Sequence, residues 1–437
     1  MKSNKPQLLI LTTHPIQYQV PLFRALADEP EIDTTVIFAS LNGAVEGYDR
    51  EFGFEYKWDV PLLDGYSWEL LENRARKPAV GPFFGTNLPG LSDRIRELAP
   101  DVLLIPGWGK RCYVQAMRTA FRLQIPVLVR GEARIFKNQL WTKKMIKKMV
   151  VAPAMRRVSG VLPIGKCNRE FYEWCGVNES RFFDSFYFVN NSFFSEAGRE
   201  KRTATPAQRK TWGLPEDAVV FIFVGKFLPK KRPMDILRAF RQVVEAHPKP
   251  GKADNIPQKT EPESASQDVR SANRKQNVHL LMVGDGKLRS ECEKYVKDHA
   301  LPVTFAGFLN QTDLTDAYAV SDCLVLPSDA RETWGLVVNE AMASGLTAIV
   351  SDQVGCAPDL IDEAETGFTF PLADIDALAD RIGEVVQRPA MLQNLKNNAA
   401  TKIEQYDLEQ AVRGVVTAVQ DVKQRETQKP KVKDYSW

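Results

Sequence analysis

A strand, a polar loop and a helix follow one another in the sequence CLVLPSDARETWGLVVNEAMASG, residues 323–345. The apolar run Cys323–Leu326 is typical of a buried strand, and the apolar residues after the loop are typical of a helix. Glycine suits the position just after a helix C-cap, so Gly345 predicts where this helix ends. Ligands of parallel α/β sheets bind beyond the carboxyl ends of the strands, so the loop is expected to contact one.

Two glutamates, Glu332 and Glu340, flank the start of the predicted helix. Glu340 has apolar neighbours, where an unpaired carboxylate is costly, so we expect it to face the hydroxyls of a ligand. The backbone N–H groups of Thr333, Trp334 and Gly335 are expected to meet the same ligand. Eight helical residues rise about 12 Å, whereas glycosidase carboxylates lie about 5–9.5 Å apart. The two carboxylates are therefore better placed to bind the two ends of a polyhydroxyl ligand than to act as the catalytic pair of a glycosidase.

Short apolar runs alternate with amphipathic stretches over the whole chain. Fully apolar strands between helices predict parallel sheets covered on both faces, and two such series predict an α/β fold with two doubly wound, Rossmann-like domains. We expect the strands at 7–13, 33–40, 101–106, 126–130 and 160–163 in the first half, and at 219–225, 279–284, 303–308, 323–327 and 347–351 in the second.

The domain boundaries are predicted from changes in composition. We expect a first domain at 1–196, a second at 207–405, and a helix with a tail at 406–437, loose from residue 421. The break lies in the polar stretch 193–215. The stretch 245–276 has four prolines, no aromatic residue and many charges, which predicts a disordered surface insertion. It is either a loop without function or a segment that binds a partner.

Composition excludes several classes of protein. The 437 residues carry 58 Lys and Arg against 55 Asp and Glu, a net charge of +3 that does not indicate a nucleic-acid partner. The six cysteines are scattered, so we expect neither disulfides nor a zinc site. The N-terminal apolar run is too short for a secretion signal, and no stretch approaches the roughly 20 apolar residues of a membrane span. We expect a cytoplasmic protein.

Two more predicted strands of the second half end in candidate ligand loops. Gly225 and Lys226 follow one strand, with Lys231 shortly after them, and the two cations could close on a diphosphate. A solvated basic turn has the same composition. Gly284-Asp285-Gly286 follows the next strand, and the helix start behind it favours an anion. The same three residues also form ordinary turns.

Together these motifs resemble the family 4 retaining glycosyltransferases of GT-B fold, over about residues 219–372. The E-x7-E spacing of Glu332 and Glu340 is the most specific of them. The resemblance implies two Rossmann-like domains facing across a cleft, with the final helix, 408–424, packed back on the first domain. It implies transfer of a sugar from a nucleotide-diphosphate sugar to a hydroxyl, with no metal or other cofactor. A GT-B sugar-nucleotide 2-epimerase and a non-catalytic nucleotide-sugar-binding protein stay open as alternatives.

The resemblance also implies a role for each motif. Lys226 and Lys231, after Gly225, would hold the donor diphosphate, and the loop Gly284-Asp285-Gly286 would line the donor site. Glu332 would bind the transferred sugar together with the amides of the three residues after it, and Glu340 would bind the ribose. The catalytic residues would be Glu332 and the two lysines. Relatives usually carry arginine in place of Lys226, which gives a point charge and not a bidentate fork.

The first domain would bind the acceptor, a glycan or a lipid-linked glycan of cell-surface polysaccharide or glycolipid synthesis. His14 ends the first predicted strand and is a candidate acceptor contact, or else a capping or core histidine. Many relatives carry histidine after the strand at 126–130, where this chain has Arg130-Gly131-Glu132. Arg130 and Glu132 either contact the acceptor or form a structural ion pair.

Residues 136–150 predict a basic amphipathic helix. Its lysines are Lys143, Lys144, Lys147 and Lys148, and its apolar residues include Trp141, Met145, Ile146 and Met149. Such a helix either covers the core with its apolar side or lies on an anionic membrane surface, which would make the protein peripheral on the inner face of the membrane.

Overall fold

The computed structural model describes residues 5–44, 60–136, 140–202, 205–246 and 278–428, and the backbone alone of 47–49 and 54–56. The insertion predicted at 245–276 lies outside the described residues apart from its first two, and so does the end of the chain from residue 429.

The chain forms two compact units, residues 1–191 with 404–437 and residues 192–403. The first has a six-stranded parallel sheet in the order β5-β2-β1-β6-β7-β8, with a separate antiparallel pair β3-β4. Its strands are Gln7–Thr12 (β1), Asp33–Phe38 (β2), Gly47–Asp49 (β3), Phe54–Tyr56 (β4), Ser67–Leu70 (β5), Val102–Ile105 (β6), Val127–Val129 (β7) and Gly160–Val161 (β8). Its first helices are Val20–Asp28 (α1), Leu91–Leu98 (α2), Arg111–Arg122 (α3), Trp141–Met155 (α4) and Lys166–Cys175 (α5).

The second unit has a six-stranded parallel sheet in the order β11-β10-β9-β12-β13-β14. Its strands are Val219–Val224 (β9), Val278–Val283 (β10), Val303–Gly307 (β11), Cys323–Leu326 (β12), Thr347–Ser351 (β13) and Gly367–Phe370 (β14). Its helices are Asn191–Arg202 (α6), Thr205–Thr211 (α7), Pro233–Ala246 (α8), Arg289–Asp298 (α9), Gln311–Ala319 (α10), Leu336–Ala343 (α11), Ala357–Leu360 (α12), Ile375–Gln387 (α13) and Pro389–Ile403 (α14).

The central strands are the apolar runs that the sequence predicts. All residues of β9 and β12 are buried, as expected for parallel strands covered by helices on both faces. The sequence analysis did not predict the edge strands β5 and β14. Each is only four residues long, and β5 is exposed at both ends, so neither has the long apolar signature of a central strand.

The polar stretch 193–215, interpreted from the sequence as the break, is largely helical and lies in the second unit. In α6, Phe194 is fully buried and Lys201 forms an ion pair with Asp316 at 2.8 Å. In α7, Arg209 pairs with Asp322 at 3.2 Å. These ion pairs join α6 to the helix Gln311–Ala319 and α7 to the start of β12, whereas composition alone indicated a linker.

The last helix, Leu408–Gln428 (α15), packs on the first unit, as the resemblance implied. Val415 and Val419 join one core cluster with Leu8 and Ile10 of β1. The expectation that the chain is loose from residue 421 is wrong up to Gln428, because Val422 is buried in the same cluster. Helix α15 approaches the segment after β8 so closely that a Cβ on Gly414 would lie 1.9 Å from the carbonyl oxygen of Asp184.

Substitution Gly414→Ala should therefore destabilise the protein by about 1–3 kcal/mol or more, because the added methyl pushes α15 off the first unit. Gly383→Ala is the matched control, since Gly383 also lies inside a helix but has no atom closer than 3.9 Å to the new Cβ. It should stabilise by about 0.5–1 kcal/mol through helix propensity. Urea unfolding measures both free energies of unfolding; equal effects of the two substitutions would contradict the close packing of α15.

Candidate functional site

The order of strands in the second sheet brings the predicted ligand loops together. Strand β9 pairs in parallel with β10 on one side and with β12 on the other, so the chain reverses its direction of winding between β9 and β12. The carboxyl ends of these strands meet at one edge, which is where ligands bind in such sheets. Lys226 follows β9, Gly284 follows β10 and Glu332 follows β12.

Backbone hydrogen bonds join the three loops to one another. The N–H of Phe227 donates to the carbonyl of Asp285 at 2.8 Å, and the N–H of Asp329 donates to the carbonyl of Lys230 at 2.9 Å. Gly284 has φ +124°, and a Cβ on it would lie 2.0 Å from the carbonyl oxygen of Gly225. Only glycine fits this contact, so the Gly-Asp-Gly sequence reflects the close approach of two loops.

Lys231 and Glu332 form an ion pair at the centre of this edge. Lys231 Nζ donates to Glu332 Oε2, and only 15% and 17% of the two side chains are exposed. Charge-assisted bonds of this kind are strong where water is largely excluded. The sequence assigns Lys231 to a diphosphate and Glu332 to a sugar, and the structure adds that the two side chains contact each other. An anionic ligand would have to share Lys231 with this carboxylate.

The segment after Glu332 is fixed by the loop after β13. Gly355 donates its N–H to the carbonyl of Glu332 at 3.1 Å, and Cys356 donates to the carbonyl of Trp334 at 3.0 Å. The Trp334 side chain is buried, and its indole N–H donates to Asn339 Oδ1 at 2.8 Å. This arrangement anchors the backbone between the two glutamates, and only the backbone of Trp334 can serve the role predicted for it.

Helix α11 begins at Leu336, so the path between the two glutamates is only half helical. Its end confirms the sequence prediction, because Gly345 has φ +78° and donates to the carbonyl of Met342 at 2.9 Å. The N–H of Leu346 then reaches the carbonyl of Ala341 at 2.9 Å, which completes a Schellman motif.

Glu340 has a partner that the sequence did not indicate. The hydroxyl of the buried Tyr318, in α10, donates to Glu340 Oε2 at 2.8 Å. Burial raises the pKa of Glu340 to about 7, against the smaller opposing effects of the Tyr318 hydrogen bond and the Lys231 charge. Burial also raises the pKa of Tyr318 well above its usual value, so Tyr318 stays a hydroxyl donor. Tyr318 sits in an ordinary helical pattern, and no sequence motif marks it.

The three acceptor candidates lie at the carboxyl ends of β1 and β7 in the first unit. His14 Nδ1 lies 2.9 Å from Thr13 Oγ1, and burial together with the nearby Lys110 lowers the pKa of His14 to about 4. His14 is therefore neutral at physiological pH, able to accept or donate a hydrogen bond. Its contact with an acceptor stays a prediction.

Arg130 and Glu132 hold the segment after residue 184. The Arg130 guanidinium donates to the carbonyl and the hydroxyl of Ser185 at 3.2 and 3.0 Å, and to the carbonyl of Phe186 at 3.0 Å. Glu132 accepts from the hydroxyl of Tyr187. Both side chains thus have structural partners within the first unit, and their roles toward an acceptor stay predictions.

The raised pKa of Glu340 predicts a dependence of stability on pH. Its value of about 7 lies above the usual 4.5, so between these pH values the native state binds more protons than the unfolded state. Stability from this group therefore falls as pH rises through that window. Glu340→Gln should remove the effect and gain stability relative to wild type between pH 5 and pH 8, by about 2 kcal/mol.

Urea unfolding at several pH values measures this gain. The exposed Glu404 supplies the control, since Glu404→Gln removes the same negative charge from the surface. A difference between Glu340→Gln and wild type that stays constant from pH 5 to pH 8 would contradict the pKa inferred for Glu340.

The chain is similar to a known family, to curated relatives and to solved structures. Residues 204–402 match the family model for glycosyl transferases group 1. A sulfoquinovosyl transferase of Arabidopsis thaliana is 33% identical over 133 residues, which is 30% of this chain and 25% of that protein. An N-acetyl-alpha-D-glucosaminyl L-malate synthase of Bacillus anthracis is 27% identical over 234 residues, 53% of this chain and 52% of that protein. The chain thus spans a quarter to about half of the length of these curated relatives.

A solved structure, HepE of Anabaena in complex with UDP, is similar over 97% of this chain and 99% of its own, with a TM-score of 0.65 and 15% identity. The likeness covers both units and confirms the predicted fold class, two Rossmann-like α/β domains as in glycosyltransferases of GT-B fold. The family 4 assignment stays a prediction. Over residues 204–402, the chain is therefore similar to the group 1 glycosyl transferases, and both of its sheets have the architecture of a GT-B protein.

Proposed function

We propose that this protein is a retaining glycosyltransferase that moves a sugar from a nucleotide-diphosphate sugar to a hydroxyl of a glycan or lipid-linked acceptor. The observation that carries the proposal is the Lys231–Glu332 pair at the point where β9 and β12 diverge, with Glu340 beyond it. The match of residues 204–402 to group 1 glycosyl transferases supports it, and so does the similarity in fold to HepE, which was solved in complex with UDP.

The proposed donor site separates three chemical tasks. Lys226 and Lys231 neutralise the diphosphate as it departs, an electrostatic contribution that needs no metal ion. Glu332 contacts the transferred sugar, where positive charge develops at the anomeric carbon. Glu340, held by Tyr318, accepts hydrogen bonds from the ribose hydroxyls.

Charge is conserved through the proposed transfer. The bond between the anomeric carbon and the diphosphate oxygen breaks, and a bond from that carbon to the acceptor oxygen forms. The proton of the acceptor hydroxyl leaves with the diphosphate. Lys231 is already paired with Glu332. When the donor binds, its phosphate oxygens accept hydrogen bonds from the ammonium group of Lys231 in place of some of those that Glu332 accepts. The carboxylate is then available to the sugar.

A panel of UDP-, GDP-, ADP- and dTDP-sugars tests the function directly. One of them should release its nucleoside diphosphate at a rate that rises with a hydroxyl acceptor, give a product with retained anomeric configuration, and stay active in excess EDTA. Complete loss of activity in EDTA that Mg²⁺ or Mn²⁺ restores would contradict the role of the lysines. Interconversion of sugar nucleotides without an acceptor would identify an epimerase, and binding without any turnover would identify a non-catalytic binding protein.

The two glutamates should respond differently to substitution. Glu340→Gln should weaken binding of the bare nucleoside diphosphate and raise the donor KM, because the ribose is remote from the bond that breaks. Glu332→Gln should mainly lower kcat. It should leave binding of the bare diphosphate unchanged or strengthen it, because Lys231 loses its carboxylate partner.

Isothermal titration calorimetry with the diphosphate identified by the panel measures these affinities. The exposed Glu365 lies in the same unit, so Glu365→Gln is the matched control and should bind as wild type does. Equal weakening by the substitutions at Glu332 and Glu340 would contradict the separate roles assigned to them.

A further inference from the structure

Helix α4 turns an apolar stripe toward the outside of the first unit. Among the described residues nine large apolar side chains are exposed, and five of them lie within residues 140–150. They are Leu140, Trp141, Ile146, Met149 and Val150. The last three are 58%, 65% and 72% exposed and follow the i, i+3, i+4 spacing of one helix face. The expectation that the apolar side of this helix covers the core is therefore wrong for these residues.

The opposite side of α4 packs against the core of the first unit. Val151, Ala152 and Met155 are buried in the core of the first unit. Lys147 Nζ lies 4.8 Å from the ring centroid of Phe171 and donates to the carbonyl of Arg134 at 3.1 Å. Burial lowers the pKa of this lysine.

Lys148 is placed in the same way, with Nζ 5.3 Å from the ring centroid of Trp174. Two of the four lysines that the sequence placed on a membrane-facing side thus lie over aromatic rings of the protein itself. The side of α4 left for a partner is the apolar one.

The stretch of sequence around the stripe is rich in positive charge. Residues 133–169 contain ten Lys and Arg and no Asp or Glu. Lys143 is exposed beside the stripe, and Arg156 and Arg157 are exposed where the helix ends. A second copy of the chain docked here about a two-fold axis would bring two copies of α4 together, and this helix carries four lysines and no carboxylate. An anionic bilayer offers the complementary chemistry, since its acyl boundary accepts apolar side chains and its headgroups accept cations.

We propose that α4 docks the protein on an anionic membrane, lying in the interface plane with Ile146, Met149 and Val150 inserted below the headgroups. Trp141, exposed at the first position of the helix, lies at headgroup level, where tryptophan is favoured. Lys143 contacts the lipid phosphates, whereas Arg157 lies over the ring of Phe121 and Arg156 donates to the carbonyl of Cys175. Within the described chain, none of the helices is long and apolar enough to cross a bilayer.

Co-sedimentation of the full-length protein with vesicles tests the proposal. Wild type should bind vesicles of phosphatidylcholine with phosphatidylglycerol, and bind pure phosphatidylcholine at least about tenfold more weakly because the cations then lack partners. The triple substitution Ile146→Ser, Met149→Ser and Val150→Ser should lower the partition coefficient by more than about tenfold, since three inserted side chains are lost. Lys143→Glu should lower binding to the anionic vesicles by about fivefold.

Leu70→Ser is the matched control and should bind vesicles as wild type does. Leu70 is 48% exposed in β5, the first strand in the order of the sheet, whereas α4 connects β7 and β8 at its other end. Because its three sites are exposed, the triple variant should keep the melting temperature and the affinity for the nucleoside diphosphate of wild type. Failure of the membrane proposal therefore leaves the proposed sugar transfer untouched.

Results of two kinds would overturn the proposal. The first is wild-type protein that stays in the supernatant with anionic vesicles, or a triple variant that pellets as wild type does. The second is a wild-type dimer without vesicles that the triple substitution converts to a monomer, which would identify the stripe as a contact between copies of the chain.

Discussion

Two backbone register pairs, Cys323 with Phe221 and Leu324 with Ile222, join β12 to β9 in the second sheet. These strands lie about a hundred residues apart in the sequence, and the chain first builds β10 and β11 on the other side of β9. Because β12 pairs with β9, Lys231 and Glu332 reach one another across 101 positions. All strands of this parallel sheet end at the same edge, and the pairing of β12 with β9 makes the loops that follow them neighbours, so the contact of Lys231 with Glu332 depends on this pairing.

The Lys231–Glu332 contact gives the site a balanced charge before any ligand arrives. A buried lysine alone would attract any anion, and a buried glutamate alone would tend to take up a proton. In the pair, the two opposite charges compensate each other where both side chains are largely shielded from water. Under the proposed function, a ligand with both a diphosphate and a polyhydroxyl group would offer a new partner to each of them.

Much of this arrangement could be predicted from the sequence, and the reasons for the rest are physical. A strand such as Val219–Val224 is buried along its whole length, so it can be recognised in the sequence as an uninterrupted apolar run. Gly345 can be recognised as the end of α11 because the positive φ at that position favours glycine. Tyr318 could not be found, because its partnership with Glu340 arises from packing between α10 and α11, and a buried tyrosine in a helix has no distinctive pattern. The contact of the loop at Gly355 with the segment after Glu332 could not be predicted either, because it is made by backbone N–H groups, which every residue except proline supplies.

The errors have a common cause as well. Composition indicates a linker where α6 and α7 lie, and helical spacing places the four lysines of α4 on one side. Neither shows which way a charged side chain points. Lys147 shows the difference, because its ammonium nitrogen lies 4.8 Å from the ring centroid of Phe171 and 5.9 Å from that of Trp108. In the same helix Ile146, Met149 and Val150 are exposed, whereas Val151, Ala152 and Met155 are buried.

The placement of α15 has a consequence for how the chain acquires its structure during synthesis. The first unit is built from the two ends of the chain, whereas the second is the continuous segment 192–403. One face of the first sheet, with Leu8 and Ile10, is covered by Val415 and Val419. Those residues leave the ribosome only after the entire second unit has been made. The unit translated first therefore completes its core last, and until then an apolar surface stays open to chaperones and to aggregation.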